Sequence, residues 1–190
     1  MGQRLVVNVV KDKESVAAIY FHWSAYTQSA LWEAQKIIDA IVRHEYDDLR
    51  LLLIRYCEEN GGCIDGGKDS KEFKAIQKIY PNETFKEDGS RNEGLIAITE
   101  DGMEDLYDWA EGTLEINLDD GYVYNHVYDV ETLDEYNDWR EEECKLDDFE
   151  LLDIDLNVIK FDKLDEVISQ LNHAPYEFRN SEDQIVCLIA

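Results

Sequence analysis

Two β-rich runs, Arg4 to Val10 and Val16 to Trp23, flank a polar stretch from Lys11 to Ser15, and the apolar pattern then changes period. A polar turn between two strand-length runs joins them as an antiparallel hairpin. Leu31, Ala34, Ile37, Ile38, Ile41 and Val42 recur at three- and four-residue spacing, which lines them along one face of a helix. An isolated hairpin is marginal in water, and a helix gains its stability by burying its apolar stripe. The opening forty residues therefore demand a sheet with a helix packed on it.

The rest of the chain extends this plan. Thr27 or Ser29 can cap the first helix, and Asp47 can cap a second that buries Leu49, Leu52, Leu53 and Tyr56 and stops at Gly61-Gly62. Ser70 opens a third helix through Phe73, Ile76 and Ile79, ended by Pro81. Residues 82–93 read as a loop and are the one candidate boundary. Gly94 to Thr99 is a strand, and Gly102 to Glu111 a short helix with Met103, Leu106, Tyr107 and Ala110 inside. Thr113 to Leu118 and Tyr122 to Val130 flank Asp119-Asp120-Gly121, a hairpin signal. Thr132-Leu133-Asp134-Glu135 fits a capping box for a helix to about Glu143. Phe149 to Phe161 reads as one long strand, Leu164 to Leu171 as a helix and Ile185 to Ile189 as a last strand. Hairpins dominate, so the expected class is α+β with a largely antiparallel sheet and helices packed on it, one domain over residues 1–190.

Charge is placed unevenly on this frame. Residues 100–170 hold 25 Asp and Glu against four basic residues, a local charge of −21 out of −26 for the chain. The first 99 residues hold 13 basic and 16 acidic residues. Disorder combines high charge with few aromatics, and here 21 Trp, Tyr and Phe are interleaved with the acids, so the acidic stretch is expected to fold. Such a charge repels DNA, RNA and anionic membranes and favours basic protein partners. No apolar run reaches the roughly 18 residues of a membrane span, and Met1 to Val10 lacks a cleavable signal pattern. The sparse cysteines, Cys57, Cys63, Cys144 and Cys187, read as reduced thiols of a cytoplasmic protein.

The motifs that could carry chemistry are incomplete. Asp153, Asp155 and Asn157 begin a calcium loop, but Val158 stands where Gly is needed and Leu164 where Glu is needed. Strand alternation explains these residues instead; only weak, non-specific Mg²⁺ or Ca²⁺ association is expected. Gly62 to Lys68 has the spacing of a phosphate loop. Asp69 stands where Ser or Thr must hold Mg²⁺, Asp65 and Asp69 would repel phosphate, and the loop follows a helix, so it reads as a glycine-rich connection. Cys57 and Cys63, with His44 upstream, lack the tighter pair and second ligand pair of a zinc site. No metal and no cofactor are expected.

Two constellations remain. His22, Ser24, Tyr26 and Thr27 lie where the second strand yields to the first helix, and His22 and Ser24 share a strand face. That is a candidate small-molecule or hydrolase pocket; its plainer reading is a packed aromatic corner with a capping hydroxyl. The acidic stretch is the other. Asp119, Asp120, Asp134, Glu135, Asp138, Glu141, Glu142, Glu143, Asp147 and Asp148 are its candidate partner-binding residues, within an acidic face spanning 100–166. Double-stranded DNA presents about one charge per 1.7 Å of axis, a density that carboxylates on adjacent turns and strands approach. The plainer reading is a well-solvated acidic surface.

Gly2-Gln3-Arg4-Leu5-Val6-Val7, His22-Trp23-Ser24-Ala25-Tyr26-Thr27 and Asn92-Glu93-Gly94-Leu95-Ile96 together resemble a group of small acidic phage proteins of uncharacterised activity, over roughly the first 130 residues. The element order also resembles the N-terminal-nucleophile hydrolase layering. Those enzymes expose Cys, Ser or Thr as their first residue, and Met1-Gly2 supplies none, so the nucleophile of that family is absent and a hydrolase of this layering would be a degenerate one. In character the chain is similar to phage inhibitors of host defence that imitate DNA. This resemblance implies a non-enzymatic anti-defence inhibitor in the host cytoplasm. Its acidic face would block the basic groove of a host defence or DNA-processing protein, without direct binding of nucleic acid or membrane.

Overall fold

The computed structural model describes residues 3–43, 47–87, 94–127, 138, 150–152, 155–171, 176–179 and 185–189. The chain is α+β. The hairpin forms as expected: β1 (Leu5–Lys11) and β2 (Glu14–Phe21) pair antiparallel from Leu5 opposite Phe21 to Lys11 opposite Glu14. The turn is tighter than the polar stretch suggests. Asp12 and Lys13 alone form it, with φ of 55° and 65°, the left-handed pair that suits a two-residue hairpin.

Helix α1 (Thr27–Arg43) buries Thr27, Ala30, Leu31, Ala34, Ile37 and Ile38. Val42, placed on the apolar face by spacing, is exposed instead. Thr27 opens the helix with its hydroxyl turned into the core, where it accepts a hydrogen bond from Asn125 Nδ2 at 3.4 Å. Helix α2 (Leu49–Glu59) is capped by Asp48 and not by Asp47: the Asp48 carboxylate accepts the Leu51 N–H. Only Asp48, three residues before Leu51, stands at the N-cap position. Ser70 caps α3 (Lys71–Ile79) as expected, accepting the Phe73 N–H.

Two short strands change the topology. β3 (Cys63–Ile64) runs parallel to β4 (Leu95–Ala97), and β1 runs parallel to β5 (Gly112–Asn117). With β6 (Tyr122–Val127) and β8 (Val158–Lys160), the main sheet has the order β3-β4-β2-β1-β5-β6-β8 and is mostly antiparallel. The expected long strand from Phe149 to Phe161 does not form. β7 (Glu150–Leu152) pairs with β10 (Ile185–Ile189), which also pairs with β9 (Tyr176–Arg179), in a separate three-stranded sheet. Asp155 meanwhile turns back to accept the Asn157 N–H, a local bond that competes with a strand ladder. Of the helix expected from 132 to 143 only Asp138 falls within the described residues, helical and exposed.

The main sheet is covered differently on its two faces. Leu5, Val7 and Val9 of β1 join α1, α2, α3 and α5 (Leu164–Leu171) in the larger core cluster. Val6, Ala18 and Tyr20 point the other way, beneath Leu106 of α4 (Glu100–Tyr107), with Met103, Tyr107 and Ala110 packed alongside. Strand alternation produces this split. It fixes α4, the acidic helix, on the face opposite α1.

Asp119 braces the turn of the first hairpin. Its two carboxylate oxygens accept the Asp12 and Lys13 N–H groups, each at 2.8 Å. Those donors hold its carboxyl below the ordinary aspartate range. A lowered folded-state pKa stabilises the fold above the unfolded value and is lost as pH falls through the folded one. Asp119→Asn should therefore melt below the parent protein at pH 7, and the two melting curves should converge progressively below about pH 4. Thermal scans from pH 7 to pH 2.5 measure this; a constant gap throughout would assign Asp119 no such role.

Candidate binding surfaces

The described part of the acidic stretch is centred on α4. Glu100, Asp101, Glu104, Asp105 and Asp108 are all exposed, and no Lys or Arg occurs between 100 and 111. Among the described residues none of these five carboxylates enters an ion pair; Glu111, at the end of the run, is held by Arg4 at 2.9 Å. Glu100 to Asp108 spans eight helical rises, about 12 Å, so the charge density is about one per 2.4 Å. That lies between the density of one DNA strand and that of the duplex.

A buried carboxylate sets the start of this helix. Glu72 of α3 is 5 % exposed. Its Oε1 accepts the Ile98 N–H at 2.7 Å and the Thr99 N–H at 3.2 Å, and its Oε2 accepts the Thr99 hydroxyl. Thr99 in turn caps α4 by accepting the Gly102 N–H. The Glu72 charge thus sits at a helix N-terminus, where it is favoured. Between α3 and α4 lies a cleft of about 600 Å³ lined by Asp65, Lys71, Glu72, Glu100, Asp101 and Glu104, among others.

Of the acidic residues singled out from the sequence, Asp119 and Asp120 sit in the β5–β6 turn and serve the fold. Asp119 braces the first hairpin; Asp120 accepts the Tyr122 N–H at 3.0 Å and the Tyr124 hydroxyl at 2.7 Å. Asp138 is exposed. Asp134, Glu135, Glu141, Glu142, Glu143, Asp147 and Asp148 lie outside the described residues.

The corner from His22 to Thr27 has a definite geometry. Tyr20 and His22 share a hydrogen bond from the Tyr20 hydroxyl region to Nδ1 at 2.5 Å, and Trp23 meets the imidazole edge-on, ring centres 4.8 Å apart. Ser24 Oγ is directed to the His22 carbonyl at 3.5 Å and Thr27 is wholly buried. The hydroxyls of Ser24 and Thr27 are thus turned to backbone and core, and the hydroxyl on the His22 ring is that of Tyr20. Trp23 has φ of 64° and is 56 % exposed, and Tyr26 is 50 % exposed.

The glycine-rich segment follows α2, as its sequence reading has it: Gly62 comes just after that helix, Cys63 and Ile64 within the segment form the short buried β3, and the chain then leads into α3. Its charge still opposes phosphate: Lys68 pairs with Glu87 at 3.1 Å, and Asp65 lines the acidic cleft. Cys57 and Cys63 are both buried as free thiols. Burial pushes the Cys57 thiol up to about 12, so it is inert at neutral pH. Among the described residues no group of three or more His, Cys, Asp or Glu is placed to hold a metal ion. Among them, too, no helix is long and apolar enough to cross a membrane.

Sequence reasoning missed Glu72 as the anchor of α4, and it missed Trp109. Glu72 falls in the first turn of a helix, where an acid is ordinary. Trp109, 49 % exposed, stands beyond the end of α4, two residues before the Glu111 that pairs with Arg4. An aromatic next to an acidic run was its available signal. Comparison with family models, with curated proteins and with solved structures finds no match to this chain.

Proposed function

We propose that the protein is a non-enzymatic, phage-type binding protein whose acidic face imitates nucleic acid and occupies the basic groove of a host defence or DNA-processing protein. One observation carries this reading: α4 and its C-cap Asp108 display five exposed carboxylates in about 12 Å, with no basic residue between 100 and 111. Concentrating like charge costs the fold stability through self-repulsion, and a basic partner relieves that cost. The concentration of −21 between residues 100 and 170 supports the same reading.

The test uses the partner's own ligand. The immobilised protein is exposed to bacterial lysate and the bound fraction is challenged with mixed-sequence duplex DNA. A groove-binding partner should be released by the duplex and by moderate salt, since association releases counterions from both surfaces. Lysine at Glu141, Glu142 and Glu143 together should weaken capture, and His22→Ala should leave it intact. Bound protein that resists excess duplex, or capture that depends on His22 and not on the carboxylates, would refute the imitation of DNA.

A further inference from the structure

We propose that the end of the main sheet carrying Trp23, Tyr26 and Trp109 is a docking surface for an arginine-bearing segment of the partner protein. This rests on the reading of the chain as a binder of a basic partner, and it names an anchor that reading does not contain.

Strand β1 brings the three aromatics to one end. The Gln3 carbonyl accepts the Ser24 and Ala25 N–H groups at 2.9 and 3.2 Å, which ties down the loop bearing Trp23 and Tyr26. The Arg4 carbonyl accepts the Glu111 and Gly112 N–H groups at 2.8 and 3.1 Å, which ties down the loop bearing Trp109. β2 and β5 are the two neighbours of β1, so the two loops leave the sheet about 10 Å apart. Trp23, Tyr26 and Trp109 are 56 %, 50 % and 49 % exposed there.

Trp23 is held outward against its own preference. A bulky residue at φ of 64° is an uncommon and strained conformation. The two bonds to the Gln3 carbonyl, from the residues directly after Trp23, hold the loop in it. Strain of this kind survives where the surroundings over-determine it, and it is found at binding sites more than in inert loops.

Charge selects the occupant. α4 runs into this end with Glu104, Asp105 and Asp108 exposed, and the nearby cation, Arg4, is already paired with Glu111. Trp faces attract guanidinium, carboxylates receive its N–H groups in pairs, and Trp, Tyr and Arg dominate interface hot spots. A second copy of this chain, carrying −26, would be repelled.

The probe is a short, unstructured Gly-Arg repeat peptide, with citrulline and lysine versions as controls, titrated while the indole N–H resonances are followed by NMR. The resonances of Trp23 and Trp109 should shift and that of Trp32 should not. Arginine should bind more tightly than lysine, and citrulline should not bind. Trp109→Ala should weaken binding about tenfold or more. Trp23→Gly should do the same while melting no lower than the parent, because glycine relaxes the left-handed backbone. Unchanged affinity in the folded Trp23→Gly variant overturns the proposal. So do shifts confined to other residues, or a dimer in sedimentation that Trp23→Gly disperses. Displacement by duplex DNA reads the imitation of nucleic acid separately: peptide binding at Trp23 with no duplex-displaceable partner keeps this surface and discards that reading.

Discussion

Replacing Glu72 by alanine should destabilise the protein by about 3–4 kcal/mol, a large effect for a residue that sequence alone places on a helix surface. The carboxylate satisfies the buried Ile98 N–H, the Thr99 N–H and the Thr99 hydroxyl. Removing it orphans two backbone donors and frees the hydroxyl that caps α4. Glu72→Gln retains one oxygen for both N–H groups and should cost only about 1 kcal/mol, chiefly the charge at the helix N-terminus. Gly102 supplies a sharper test. A Cβ there would lie 2.9 Å from Glu72 Cδ and closer still to Oε2. Gly102→Ala should therefore destabilise the parent protein. In the Glu72→Ala background the same change should be neutral or gain about 0.5–1 kcal/mol, since alanine is the better helix former. Denaturant unfolding of the four proteins measures the coupling. An equal cost of Gly102→Ala in both backgrounds would show that Glu72 does not hold α4.

What the sequence discloses and conceals follows from range. The first hairpin, α1, the Ser70 cap and the Asp119-Asp120-Gly121 turn are local patterns, and the structure contains them. Val42 departs because its place at the end of α1 carries it out from under the sheet's cover, although its spacing is right. β3 has two residues, too few to show alternation, and it exists because β4 lies beside it. The parallel pairing of β1 with β5 joins segments about a hundred residues apart, with no turn between them to signal it. That pairing is what sets Trp23 near Trp109, so the aromatic end could not be assembled from the chain read in order. The acidic character was plain from composition. Which carboxylates are spent on the fold was not: Asp119 and Asp120 are bound to backbone and tyrosine groups, whereas those of α4 stand free of ion pairs among the described residues.

The second large effect separates surface charge from folding. Lysine at Glu104, Asp105 and Asp108 together should slow association with the duplex-displaceable partner by about 10- to 1,000-fold, the range that electrostatic steering commands. The same variant should melt at or above the parent temperature. Glu104 and Asp105 stand in the second half of α4 and Asp108 is its C-cap, at the end where a helix favours cations, and each reversal there contributes roughly 0.3–1 kcal/mol. Glu100 and Asp101 are left in place because the first turn favours acids. Reversal also relieves repulsion along the helix. Opposite signs for stability and binding are the mark of charge retained for a partner, because a merely solvated face would show the gain without the loss. Stopped-flow association at several salt concentrations tests it: parent and variant should differ most at low salt and converge toward 1 M, where the Debye length falls to about 3 Å. Unchanged association at low salt in a variant that melts normally would remove α4 from the interface.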